Sequence, residues 1–210
     1  MNAYEATRRF EQALCEYTGS PYAVAVSSCT AALELCLAYV QPEYVRLPKR
    51  TYVGVAQVAY RLTNVFFIDK PWKGAYCLEP TRIWDSAKRF TEKMYIRGQF
   101  QCLSFHAAKI LGDTQGGAIL HDDPKADAWF RRARFDGRSE TIPLNEDTGI
   151  ILGYHCYMSP DVAARLHLRL TSHSFPKTNP DQWYEGFLEK EYGDLSTLAC
   201  FKDTHVRARQ

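Results

Sequence analysis

The sequence has no long apolar run, no surplus of charge and no paired cysteine motif, and each absence narrows what the chain can be. No segment approaches the ~20 apolar residues that a membrane-spanning helix needs. The opening stretch MNAYEATRRFEQALCEY carries charges throughout, unlike a secretory leader. A formal net charge of +2 gives no long-range pull toward nucleic acid or a membrane surface. The basic run FRRARFDGR (130–138) is a candidate anion site, although most such runs are solvated helix faces, and it gives no ground to expect DNA. The seven cysteines are odd in number and lack any CxxC pair, which suits free thiols in a reducing compartment, so a cytoplasmic location is expected. Neither His121-Asp122-Asp123 nor the scattered His106, His155, His167, His173 and His205 has a metal-ligand spacing of known type, and no metal site is expected. There is no internal repeat.

What is present suits one folded core. A chain of 210 residues is long enough for one and short for two. Ala3 to Tyr17 places Tyr4, Phe10, Leu14 and Tyr17 near one helical stripe, with Gly19 as a stop. A β-branched run at 22–28 leads into the Ala- and Leu-rich helix TAALELCLAYV. Strand, helix and strand follow as YVRL, VGVAQVAYRL and NVFFID. This alternation predicts a mostly parallel sheet covered by helices on both faces, a three-layer αβα arrangement.

After Asp69 the pattern changes. GAYCL and RIWD read as strands separated only by Glu79 to Thr81, too short for a helical crossover, so they form a hairpin or one lies outside the main sheet. QFQCLSF and GGAIL are further strands, PKADAWFRRARF a helix starting at Pro124, and SPDVAARLHLRL an N-capped helix. One short helix is expected between Asp181 and Glu191.

Three places could carry chemistry. In VAVSSCTAALEL a strand runs into Ser28, Cys29 and Thr30 and straight into a helix, whose first N–H groups and dipole favour an anion such as phosphate. Asp85 ends the strand of RIWDS, and strand carboxyl ends face the ligand crevice in open α/β sheets, where a carboxylate can pair with a protonated ring nitrogen. In LSFHAAKILGDTQGGA, Lys109 follows a strand by four residues, with Ser104 on the way; a desolvated amine there is an imine-forming nucleophile. Taken singly, each has an ordinary reading as a cap, a turn residue or a surface charge. Together, in that chain order, they are the parts that hold pyridoxal phosphate.

The residues resemble the DegT/DnrJ/StrS-type sugar aminotransferases, which are fold-type I pyridoxal-phosphate enzymes. The collinear segments are FEQALCEYTGSPYAVAVSSCTAALELCL, LPKRTYVGVAQVAY, IWDSAKRF, LSFHAAKILGDTQGGAIL and GYHCYMSPDVAARLHLRL, spanning roughly residues 5 to 170. The resemblance implies Lys109 as the Schiff-base lysine, Asp85 as partner of the pyridine nitrogen and Tyr52 as the stacking ring. It places Cys29, Thr30 and Ser104 around the phosphate. His155 falls where the family has an asparagine that reaches the phosphate in a partner subunit, which implies a homodimer with shared active sites. Lys88 stands near the cofactor's ring oxygen, where the family commonly has a glutamine. The family's Gly-Thr is Cys29-Thr30 here, and its acidic residue before the glycine pair is Gln115.

The resemblance also sets an expectation about size. Only residues 70–81 separate the NVFFID strand from the aspartate strand, where the family has a strand–helix passage. The expected architecture is therefore a trimmed transferase large domain over 1–170, lacking most of the C-terminal small domain, with a partly helical tail over 171–210. The implied function is amino transfer from an amino-acid donor to a keto acceptor, a nucleotide-linked sugar or other nucleotide. The alternative is a non-catalytic, shortened member acting as an interaction or regulatory subunit.

Overall fold

Strand residues sort by parity into two apolar layers. Val24 and Val26 of β1 (Tyr22–Val26) pack to one side and Ala23 and Ala25 to the other. Phe100 and Cys102 of β6 (Phe100–Ser104) oppose Leu103, and Ile119 of β7 (Gly117–His121) opposes Ala118 and Leu120. Strands that are apolar on both faces need cover on both faces. In the computed structural model, which describes residues 4–202, helices supply it. α2 (Cys29–Val40), α3 (Val53–Leu62) and α4 (Pro124–Ala133) share one core, while α1 (Glu5–Thr18) and α5 (Pro160–Leu170) share the other. The three-layer arrangement stands as expected from the sequence.

Helix ends follow local chemistry. α1 closes at Gly19, whose N–H returns to the Cys15 carbonyl at 2.9 Å. Asp123 caps α4 by accepting from the Lys125 and Ala126 N–H groups. α5 differs from expectation: Ser159 sits at the cap position, but its hydroxyl donates to Asp161 and caps no backbone N–H.

The main sheet has five strands in the order β1-β7-β6-β5-β4, with β4 spanning Tyr76–Cys77 and β5 Ile83–Asp85. It is mixed where the sequence predicts a mostly parallel one. β7 runs antiparallel to both β1 and β6, and β4 runs antiparallel to β5; only β5–β6 is parallel in this sheet. The β4–β5 pair is a hairpin because its link is too short to carry a crossover. β2 (Tyr44–Pro48) and β3 (Asn64–Ile68) form a separate parallel pair, tied to the β4–β5 turn by a bridge between Arg46 and Glu79.

One consequence fixes the site. β1 and β6 both oppose β7, so they run the same way, and β5 runs with them. The carboxyl ends of β1, β5 and β6 therefore emerge at one edge. Gly117, the second glycine of the pair, starts β7 at that edge, where a Cβ would collide with the Ser28 and Cys29 backbone. Gly117 makes room for the start of α2.

The segment after α5 folds back across this edge. α6 (Phe187–Glu191) and two 3-10 turns (Leu195–Thr197 and Ala199–Phe201) are its regular parts, so the expected helix covers only the end of 181–191. Phe187, Leu188 and Leu195 are buried. Arg89 holds Asp181 through two bonds of 2.9 and 2.8 Å, and Leu195 N–H donates to the Lys49 carbonyl at 2.8 Å. Residues 203–210 of the expected tail, with His205, lie outside the described residues, as does Ala3 at the expected start of α1.

Gly137 holds a different turn. Its φ is +77°, and a Cβ there would run into the Ile151 carbonyl, while its own N–H donates to Arg132. Gly137→Ala is expected to lose at least about 1–2 kcal/mol, the cost of a left-handed backbone alone, measured as a lower midpoint in urea.

Candidate active site

Seven of the eight residues singled out from the sequence line one cavity of about 250 Å³: Cys29, Thr30, Tyr52, Asp85, Lys88, Ser104 and Lys109. The topology is responsible. β1 delivers the start of α2, β5 delivers Asp85 and then Lys88, and β6 delivers Ser104 and the Lys109 turn to the same edge. That turn is closed by the Lys109 N–H donating to the His106 carbonyl at 2.8 Å. Tyr52 sits at the N-cap of α3 in an extended conformation, 58% exposed, and lines the cavity.

Asp85 is buried and richly bonded. Its Oδ1 accepts the Ala87 N–H at 2.9 Å and lies 3.9 Å from the Cys29 thiol, and its Oδ2 accepts the Tyr76 hydroxyl at 3.0 Å. Burial raises its carboxyl above the ordinary range, against the opposing pull of the Ala87 N–H, Tyr76, the Lys109 charge and Cys29. Lys109 moves the other way. Burial and then the nearby Lys88 charge lower its ammonium, partly offset by Asp85. A larger share of free amine is the direction nucleophilic chemistry requires.

At the helix start, Ser28 is the cap: its Oγ accepts the Ala31 N–H at 3.1 Å. Thr30 is left to line the cavity.

His155 is not in the cavity of its own chain. It lies beside Phe135 on an exposed stretch, with Nδ1 3.1 Å from Asp136. Sequence reasoning also missed several lining residues. His106 and Gln115 were in view without a role, and Thr51, Trp72 and Tyr192 gave no signal. Trp72 and Tyr192 stack at 6.0 Å, and the Trp72 indole N–H donates to the Arg50 carbonyl. Tyr192 comes from the segment after α5, so a contact between residues 120 apart in sequence could not be read from local pattern.

A larger cleft of about 530 Å³ between α1 and α4 is more open and holds none of these groups. Arg131 and Arg132 on its wall are already ion-paired with Glu11 and Asp147. No helix among the described residues is long and apolar enough to cross a membrane.

The arrangement has known parallels. A protein of Streptococcus pneumoniae assigned as a sugar aminotransferase, solved in PLP, PMP and apo forms, is 21% identical. In its PLP form the match covers 79% of this chain and 58% of that one, with a TM-score of 0.62. AtS13 from Actinomadura melliaura is 18% identical over 78% of this chain and 59% of its own, with a TM-score of 0.67. DesV of S. venezuelae, solved with a ketimine intermediate, is 19% identical over 79% and 56%, with a TM-score of 0.63. The chain thus spans less than two thirds of the length of these structures, and the likeness establishes the fold alone. No curated protein sequence matches it. The profile of the DegT/DnrJ/EryC1/StrS aminotransferase family matches residues 1–94 and 92–174, most of the chain. The chain belongs to that family.

Proposed function

We propose that the cavity holds pyridoxal 5'-phosphate and that the protein transfers an amino group from an amino-acid donor to a keto acceptor. The observation that carries this reading is the convergence of Lys109, Asp85, Tyr52 and the α2 start on one cavity. The residues suit the group: an amine with lowered proton affinity, a buried carboxylate, an exposed aromatic residue, and hydroxyl groups beside a helix N-terminus. When bound, the cofactor supplies an electrophilic carbon and an electron-withdrawing ring.

Lys109 would hold the cofactor covalently, and its amine, once free, would carry the proton lost from the donor's α-carbon. Asp85 would accept a hydrogen bond from the ring nitrogen and keep it protonated. Tyr52 would cover one ring face, Cys29, Thr30 and Ser104 would hold the phosphate, and Lys88 would stand toward the ring oxygen. The His155 imidazole reaches the phosphate of a second copy, making a homodimer with shared sites. Exposed Leu144, Ile150 and Leu152, near it in sequence, supply apolar surface for that contact. The acceptor is a nucleotide-linked sugar or another nucleotide, the large domain is 1–170 with the tail beyond it, and the unpaired cysteine pattern favours the cytoplasm.

The test is a single half-reaction. Protein loaded with pyridoxal phosphate and given glutamate should yield 2-oxoglutarate and pyridoxamine phosphate in equal amounts, read by chromatography. Cofactor that binds without yielding either product would instead support the non-catalytic subunit, which Lys88 at the ring-oxygen position favours.

A further inference from the structure

Tyr76 has no role in the readings above, yet it is the only side chain from β4 that touches Asp85 among the described bonds. Its hydroxyl is 3.0 Å from Asp85 Oδ2 and 2.6 Å from Thr51 Oγ1, and it is 3% exposed, with Thr51 2% exposed. The direction of this chain follows from chemistry. An ionised carboxylate can only accept, so Tyr76 donates to Asp85, and its oxygen is left to accept from Thr51. Burial holds the phenol well above its ordinary range, so it stays a neutral donor.

The hairpin makes this contact possible. Tyr76 pairs directly with Asp85 in the antiparallel register, at the edge where the cavity opens. A parallel strand reached by a crossover would not have started there.

Resting on the cofactor reading, we infer that Tyr76, held by Thr51, is a positioning residue that keeps Asp85 ionised and its free acceptor sites aimed at a protonated ring nitrogen. Burial works against ionisation of Asp85, and the donors around it work for it. The groups that face it are Tyr76 from β4, Cys29 from α2, the Ala87 N–H, Lys109 from the turn after β6, and Tyr192 from the folded-back segment. Cys102 lies beside it on β6. Of the side chains that hydrogen-bond to Asp85, Tyr76 lies closer, at 3.0 Å against 3.9 Å for Cys29.

Two measurements separate this from packing. In cofactor-free protein, infrared titration follows the Asp85 carboxyl band, identified by its loss in Asp85→Asn. Tyr76→Phe should move its midpoint to higher pH, and Thr51→Val should move it the same way by less. In binding, Tyr76→Phe should weaken pyridoxal phosphate about tenfold or more, the loss of a hydrogen bond to a charged group. It should leave unchanged the deaza analogue, in which carbon replaces the ring nitrogen. An unmoved carboxyl midpoint, or equal weakening of both ligands, would overturn the inference and leave Tyr76 a packing residue. If the unmutated protein binds neither ligand, the cofactor reading falls, while the carboxyl titration still decides whether Tyr76 acts on Asp85.

Discussion

Lys109→Ala protein mixed with pyridoxal phosphate and then borohydride is expected to carry no phosphopyridoxyl mass on any cavity residue, whereas the unmutated chain carries one on Lys109. The lysine lines the cavity and its amine is biased toward the free base by burial and by Lys88. Alanine removes both the covalent anchor and the proton carrier. Amino transfer should fall by at least the ~10²- to 10⁴-fold that general acid–base catalysis alone supplies. Lys88, on the same cavity wall, is the natural control. Label that shifts to Lys88 in the Lys109→Ala protein would show two competent amines; label on Lys88 in the unmutated protein would displace Lys109 from its assigned role.

The second large effect concerns stability. Arg134 is fully buried in the core and donates to Glu11, to Glu140 at 2.8 Å and to the Ala25 carbonyl at 2.7 Å. Glu11 also accepts the Ala25 N–H at 2.8 Å and pairs with Arg131 at 2.7 Å. These bonds tie α1 to β1 and α4. Glu11→Ala leaves the buried Arg134 guanidinium with Glu140 and the Ala25 carbonyl, and should cost about 1.5–3 kcal/mol, the worth of a hydrogen bond to a charged group, read from urea unfolding. Burial alone would raise the Glu11 carboxyl, but Arg134 and Arg131 outweigh it and hold it below the ordinary 4.5. Its folded-state value is therefore depressed, so its stabilisation is complete above about pH 4.5 and fades as pH falls through that lower value. The Glu11→Ala protein should lack this part of the acid sensitivity. Equal acid midpoints for the two proteins would show that other carboxylates govern it.

Much of this was legible in the sequence because it is local. Periodicity placed α1, α2, α3 and α4 within a few residues, and the short 79–81 link ruled out a crossover and left a hairpin or a strand outside the main sheet, of which the structure has the hairpin. Lys109, Asp85 and Thr30 could be grouped because each stands at the carboxyl end of a strand or within a short turn after it, and such ends share an edge. What stayed hidden depends on pairing across long separations. The direction of β7 against both neighbours cannot be read from an apolar run such as GAIL, whose side chains alternate identically in either sense. Tyr192 reaches the cavity wall because the segment after α5 doubles back, and meets Trp72 there. Ser159 shows a limit of the opposite kind: the right residue stood at the right place, and Asp161 drew its hydroxyl away.

The parts of the site depend on each other through Gln182. Its backbone N–H donates to the Lys88 carbonyl and its side-chain amide to the Ala108 carbonyl, both at 2.9 Å. One residue thus splices together the two stretches of chain that bear the cavity's cations. The backbone beside each lysine is thus fastened from outside the cavity, by a segment far along the chain from both.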